Sequence, residues 1–112
     1  MIVWIIDSEQ WPRALLRAEL IERGFDAAGF LKLEDAFAAG ASRVPDVIVV
    51  EARGQALTPE RVARLFDLRV PVLLIGGALE LNEPWLRHFP WAAILQRPIS
   101  LGAIADRVAQ TR

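Results

Sequence analysis

The chain predicts an α/β fold: a parallel sheet with helices on both faces, built as a single domain over residues 1–112. Three observations carry that prediction. Short apolar runs alternate with helix-like segments, the order expected of strands joined by crossover helices. The clearest runs are β-branched without polar alternation, as in strands buried on both faces. Proline, glycine and hydroxyl residues fall where helices should start and stop.

Ile2–Ile6 is the first strand, and Asp7-Ser8-Glu9-Gln10 is a polar break after it. A helix begins near Trp11-Pro12, with proline suited to a first turn. Leu16 and Leu20 form its inner row, and Gly24 stops it. Phe25–Phe30 is a weaker, alanine-rich strand. A short helix follows with Leu33, Ala36 and Phe37 on one face and Gly40 at its end. Asp46–Val50 is the third strand, with Asp46 expected to act as a turn or cap residue. Arg53-Gly54-Gln55 is loop. Thr58-Pro59-Glu60 combines an N-cap, a first-turn proline and an early acid, ahead of the stripe Val62, Leu65 and Phe66. Val70–Ile75 is the fourth strand, ended by Gly76-Gly77. Asn82-Glu83-Pro84 opens a brief helix carrying Trp85 and Phe89. Ala92–Leu95 is the fifth strand, broken by Pro98, and Ser100 caps a last helix with Leu101, Ile104, Ala105 and Val108 inward.

Composition narrows the function. With 54% hydrophobic residues in 112, a packed core is expected and disorder is not. A formal charge of −1, with dispersed arginines, argues against nucleic-acid binding. No apolar stretch is long enough to span a bilayer, and Met1 leads into the first strand without a basic leader, so a cytoplasmic protein is expected. Cysteine is absent, which rules out disulfides and thiolate metal sites. Lys32 is the only lysine, a bias expected from codon usage. Glu9/Arg13, Glu19/Arg23 and Glu60/Arg64 stand at the i,i+4 spacing of a solvated helix face.

Right-handed crossovers put the C-terminal ends of all strands along one edge, where sites form in doubly wound sheets. Asp7, Ser8, Glu9, Glu51, Gly76, Gln96 and Arg97 fall there.

In this order and spacing, Ile5-Ile6-Asp7-Ser8-Glu9, Pro45-Asp46-Val47-Ile48-Val49-Val50, Pro71-Val72-Leu73-Leu74-Ile75 and Arg97-Pro98 make the chain resemble the receiver domain of two-component response regulators. Leu16 through Gly24-Phe25 adds to the match, which covers essentially the full length. The resemblance implies a flavodoxin-like (CheY-like) sheet of order 2-1-3-4-5. It also implies a degenerate pocket. The family sets two adjacent acids after strand one to hold Mg²⁺; here the first position is Asp7 but the second is Ser8. Glu51 stands at the phosphoacceptor aspartate, Gly76 at the hydroxyl residue, Arg97 at the lysine and Ile94 at the aromatic switch. The common Met-Pro after the phosphoacceptor is missing, and the span from Glu51 to Gly76 is short.

The chemistry of these replacements disfavours phosphorylation. Mg²⁺ wants octahedral oxygen ligation, and Ser8 removes a carboxylate. Glutamate moves the acceptor oxygen by about 1 Å or more, a displacement that can cost on the order of 100-fold. Gly76 offers no hydroxyl. Either a Glu51–Arg97 ion pair, with Arg53 nearby, replaces metal and phosphate, or the pocket has drifted and both side chains are solvated at its rim.

The expected function is an atypical, non-enzymatic pseudo-receiver without catalytic residues, bound metal or cofactor. It would contact signalling proteins, or a second copy of itself, through Trp85, Phe89, Trp91 and the last helix. Trp4 is expected in the core or at a strand edge, Trp11 over a sheet end. His88 lacks partners at metal-ligand spacing and is read as structural. A receiver retaining Mg²⁺-dependent or other regulated phosphorylation is one alternative. The other is a small-molecule binder with its cleft beside Gly76-Gly77. The chain fits either a free-standing domain or the first module of a longer protein.

Overall fold

In the computed structural model, residues 1–111 are described. The strands are β1 (Ile2–Ile6), β2 (Asp26–Phe30), β3 (Val47–Glu51), β4 (Val72–Gly76) and β5 (Ala93–Gln96). The helices are α1 (Gln10–Glu22), α2 (Leu33–Gly40), α3 (Pro59–Phe66) and α4 (Leu101–Gln110). All strand pairs are parallel, in the order β2-β1-β3-β4-β5.

The predicted caps form where the sequence puts them. Thr58 Oγ1 accepts from Arg61 N at 3.2 Å, and Ser100 Oγ from Ala103 N at 3.1 Å. Each satisfies one of the amides a helix start leaves open. Gly24, at φ +92°, ends α1 and donates its N–H to Ile21 O at 2.9 Å. Asp46 is a tether: its Oδ2 accepts from Ile2 N at 2.7 Å, ahead of β3.

Alternate residues of the central strands supply two apolar layers. Val3, Ile5, Val49 and Leu73 pack with Leu16, Leu20, Ile104 and Val108 on the side of α1 and α4. Trp4, Ile6, Ile48, Val50 and Leu74 pack with Leu33, Phe37 and Leu65 on the side of α2 and α3. Both faces are therefore covered, which is why β1, β3 and β4 read as continuous apolar runs. Strand β2 lies at the sheet edge and is only partly buried, which explains its weaker signature.

Three local expectations change. The brief helix expected from Asn82 is two 3₁₀ segments, Glu80–Asn82 and Pro84–His88. Glu83, before Pro84, is extended at ψ 118°, as the proline ring requires of its predecessor, and this splits the segment. Glu51 belongs to β3, since it registers with Ile75 and Ala52 N donates to Ile75 O at 2.8 Å. Of the i,i+4 pairs, Glu19–Arg23 forms at 2.9 Å. Glu9 instead meets Arg53, and Arg64 lies 4.3 Å from the Phe37 ring centroid.

Candidate functional site

The strand ends bring Asp7, Ser8, Glu51, Gly76 and Arg97 to one edge. Asp7 and Glu51 are buried, at 6% and 5% exposure. Asp7 Oδ1 accepts from Glu9 N at 2.9 Å and lies 3.4 Å from Arg53 Nη2. Glu51 Oε1 accepts from Arg53 N at 3.1 Å, and Oε2 lies 3.4 Å from Arg97 Nε. Burial pushes the Glu51 carboxyl above its usual range, against the pull of the Arg53 amide and of the Arg97 and Arg53 charges.

The Glu51–Arg97 contact exists, but it is not a fork. Arg97 Nε makes no directed hydrogen bond, so the attraction there is Coulombic and monodentate. The tighter bond runs from Arg97 Nη2 to Glu80 Oε1, which also accepts from Gly77 N at 2.6 Å. Sequence reasoning missed Glu80. Its place three residues after Gly77 suits a side chain reaching back to a loop amide, but nothing local points to Arg97. Arg53 has a similar double engagement: its Nε sits 3.0 Å from Glu9 Oε1 while Nη2 faces Asp7. Two charge chains result, Glu9–Arg53–Asp7 and Glu51–Arg97–Glu80.

The other pocket positions are closed by packing. A Cβ on Gly76 would lie 2.9 Å from Leu81 Cδ2 and 3.4 Å from Ala52 Cβ, so Leu81 fills the space a hydroxyl residue needs. A Cβ on Gly77 would meet Glu80 Oε1 at 3.2 Å and Arg97 Nη2 at 3.3 Å. Protein atoms therefore crowd Gly76 and Gly77 directly, while a pocket of about 180 Å³ is bordered by the neighbouring Ala52 and Glu80. A cavity of about 150 Å³ lies toward α1 and α4, rimmed by Asp7, Glu51, Arg53 and Arg97. Ser8 Oγ donates to Arg53 O at 3.0 Å, and Gly54 packs directly on it: a Cβ there would sit 2.3 Å from Ser8 Oγ.

The donor set does not suit Mg²⁺. Each of the two buried carboxylates faces a guanidinium, and Ser8 spends its hydroxyl proton on a carbonyl. An octahedral cation would have to displace both arginines from these carboxylates. Among the described residues, His88 is exposed and no group of three or more His, Cys, Asp or Glu is arranged for a metal.

Gln55 is a second residue the sequence did not single out. Its fully buried amide bridges two loops: Nε2 donates to Leu31 O at 2.9 Å and Oε1 accepts from Leu33 N at 3.0 Å. Lys32 Nζ donates to Gly54 O at 3.1 Å, and Arg61 holds Glu34 through two hydrogen bonds, at 2.8 and 3.1 Å.

Trp85, Phe89 and Trp91 are half-buried and form one cluster with Phe66. Phe66 stacks on Phe89 with centroids 5.8 Å apart and meets Trp91 edge-on at 5.0 Å. Trp91 Nε1 donates to Leu86 O at 2.8 Å. These rings both fill the underside of the 3₁₀ segments and reach solvent. Trp4 is core, whereas Trp11 is 75% exposed and covers no sheet end.

This layered sheet, with its strand order, recurs in solved structures. The fold is that of a response-regulator receiver domain. The Francisella response regulator 1452 receiver domain superposes with TM-score 0.80 at 18% identity, covering 98% of this chain and 94% of that one. A response regulator receiver protein from Sinorhizobium medicae gives 0.79 at 18% identity, over 99% and 93%. A transiently phosphorylated switch of bacterial signal transduction gives 0.80 at 21% identity, over 98% and 92%. No protein-family model and no curated protein matches the chain. Among the described residues, no helix is long and apolar enough to cross a membrane.

Proposed function

We propose that this chain is a pseudo-receiver: a cytoplasmic, non-enzymatic signalling module that docks on protein partners without passing through an aspartyl phosphate. The observation that carries this reading is the Glu51 carboxylate, buried between the Arg53 amide and the Arg97 guanidinium at the phosphoacceptor position. A phosphoryl group there would need a metal to neutralise it and a hydroxyl to hydrogen-bond its oxygens. Arginine side chains occupy the first place and Leu81 the second. A cationic group already in place of metal and phosphate favours one standing conformation over a switched pair of states.

The docking surface in this reading is the half-exposed cluster of Trp85, Phe89 and Trp91, since aromatic anchors beside packed neighbours carry much of the energy of protein interfaces. The test is incubation of the purified chain with Mg²⁺ and acetyl phosphate, followed by intact-mass measurement and thermal melting. The expected result is an unchanged mass and an unchanged melting temperature. A phosphoryl adduct on Asp7 or Glu51 would overturn the proposal and restore a phosphate-driven switch.

A further inference from the structure

Beside Glu80 lies a pocket of about 180 Å³, separate from the cavity rimmed by Asp7 and Glu51. Ala52, Leu57, Trp85 and Leu86 line it, and Glu80 and Glu83 supply its acids. The two glutamates are not equivalent. Glu80 is engaged by Arg97 and Gly77, whereas Glu83 is exposed and enters no ion pair among the described residues. Ala56 also borders the pocket, and its φ of +49° is uncommon for a residue with a side chain. Such backbone strain concentrates at binding sites, where the surrounding structure enforces it.

We infer that this pocket seats one lysine or arginine side chain presented by a partner protein. The inference rests on the docking reading above and names the chemistry of the partner. An apolar lining ending in a free carboxylate matches a long aliphatic stem with a cationic tip. An aromatic residue in the lining adds attraction for the same cation. The volume is far above the roughly 10–15 Å³ that admits a single water, so there is room for one such side chain. An acidic ligand would meet like charge at Glu83 and Glu80, and a purely apolar one would leave the exposed Glu83 carboxylate without a partner. The pocket adjoins the Trp85 cluster, so an occupant would continue onto the aromatic surface.

The experiment is a ¹H–¹⁵N NMR titration of the full chain with N-acetyl-lysine methylamide and N-acetyl-arginine methylamide. The norleucine analogue serves as uncharged control. Saturable shifts at the Leu57 and Leu86 amides are expected with a cationic probe and not with norleucine. Glu83→Gln, an exposed change that leaves the core intact, should weaken binding roughly threefold to fivefold, the worth of a partly solvated ion pair. Equal response to norleucine, no saturation, or indifference to Glu83→Gln would overturn the inference. Tighter binding of n-butylamine than of the blocked amino acids would assign the pocket to a free amine and overturn it equally. The titration contains no phosphoryl donor, so its failure is distinguishable from a phosphoryl adduct in the acetyl phosphate test.

Discussion

Arg97 touches two glutamates, and the structure ranks them. With Glu51 it makes a 3.4 Å contact through an Nε that forms no directed hydrogen bond. With Glu80 it makes a direct hydrogen bond to an oxygen already fixed by the Gly77 amide. Glu51 is the more buried partner, which strengthens its Coulomb attraction but also raises the cost of carrying the charge. Charge-assisted hydrogen bonds are roughly twice as strong as neutral ones, whereas partly exposed pairs are worth about 0.2–1 kcal/mol. The Glu80–Arg97 coupling should therefore reach about 1.5 kcal/mol and the Glu51–Arg97 coupling about 0.7 kcal/mol. Two double-mutant cycles measure this, Glu80→Gln with Arg97→Ala and Glu51→Gln with Arg97→Ala, read by urea unfolding. Glutamine keeps an acceptor for each backbone amide, so each cycle isolates the charge. Arg97→Ala alone should cost about 2 kcal/mol, below the range for breaking a fully buried pair because the guanidinium is part-solvated. A Glu51 coupling equal to or larger than that of Glu80 would refute the ranking, and additivity at Glu51 would reduce its pairing with Arg97 to mere proximity.

Two further outcomes follow from the same site. Glu51 binds its proton more tightly when folded, so native protein holds more protons than unfolded protein through the acid range, and Glu51's contribution to stability falls as pH rises. The stability of Glu51→Gln relative to the parent should hence improve between about pH 4 and about pH 7, measured by urea unfolding across that range. The reverse slope would mean that pairing outweighs burial. Gly76→Ser should destabilise by about 1–3 kcal/mol through the clash with Leu81, and the double variant with Leu81→Ala should cost less than the sum of the two single changes. Full stability of the single variant would show that the hydroxyl position was still open.

The fold was legible because its strongest signals are local or periodic. Ile2–Ile6, Val47–Val50 and Val72–Ile75 are uniformly apolar since both sheet faces are covered. Thr58 and Ser100 announce their helices through contacts only three residues long. Strand β2 was fainter because an edge strand lacks a neighbour on one side. The site was legible to the extent that topology places it: Glu51 and Arg97 end strands on one edge, and they do meet. The partner that holds Arg97 hardest was not legible, because Glu80 arrives from a loop whose path depends on how Leu81 packs against Gly76. Glu9 likewise sits one helical turn before Arg13, yet Arg13 Nη1 donates to the Asp7 carbonyl at 2.7 Å and leaves Glu9 to Arg53. Spacing proposes such pairs, and competing acceptors decide among them.

The Gln55 bridge has a consequence for how this edge opens. The segment that carries Arg53 is fastened to the start of α2 through Gln55, the Lys32–Gly54 bond and the Arg61–Glu34 pair. Freeing Arg53 by moving its loop would expose the buried amide of Gln55 and strand the Leu33 N–H and Leu31 C=O, each a desolvated group left without a partner. The stretches 31–34 and 53–61 must consequently open together, as a single cooperative unit spanning two crossovers. The Arg53 loop is thus tied to its neighbour, and fluctuations at the edge that holds Asp7 and Glu51 inherit the stiffness of both.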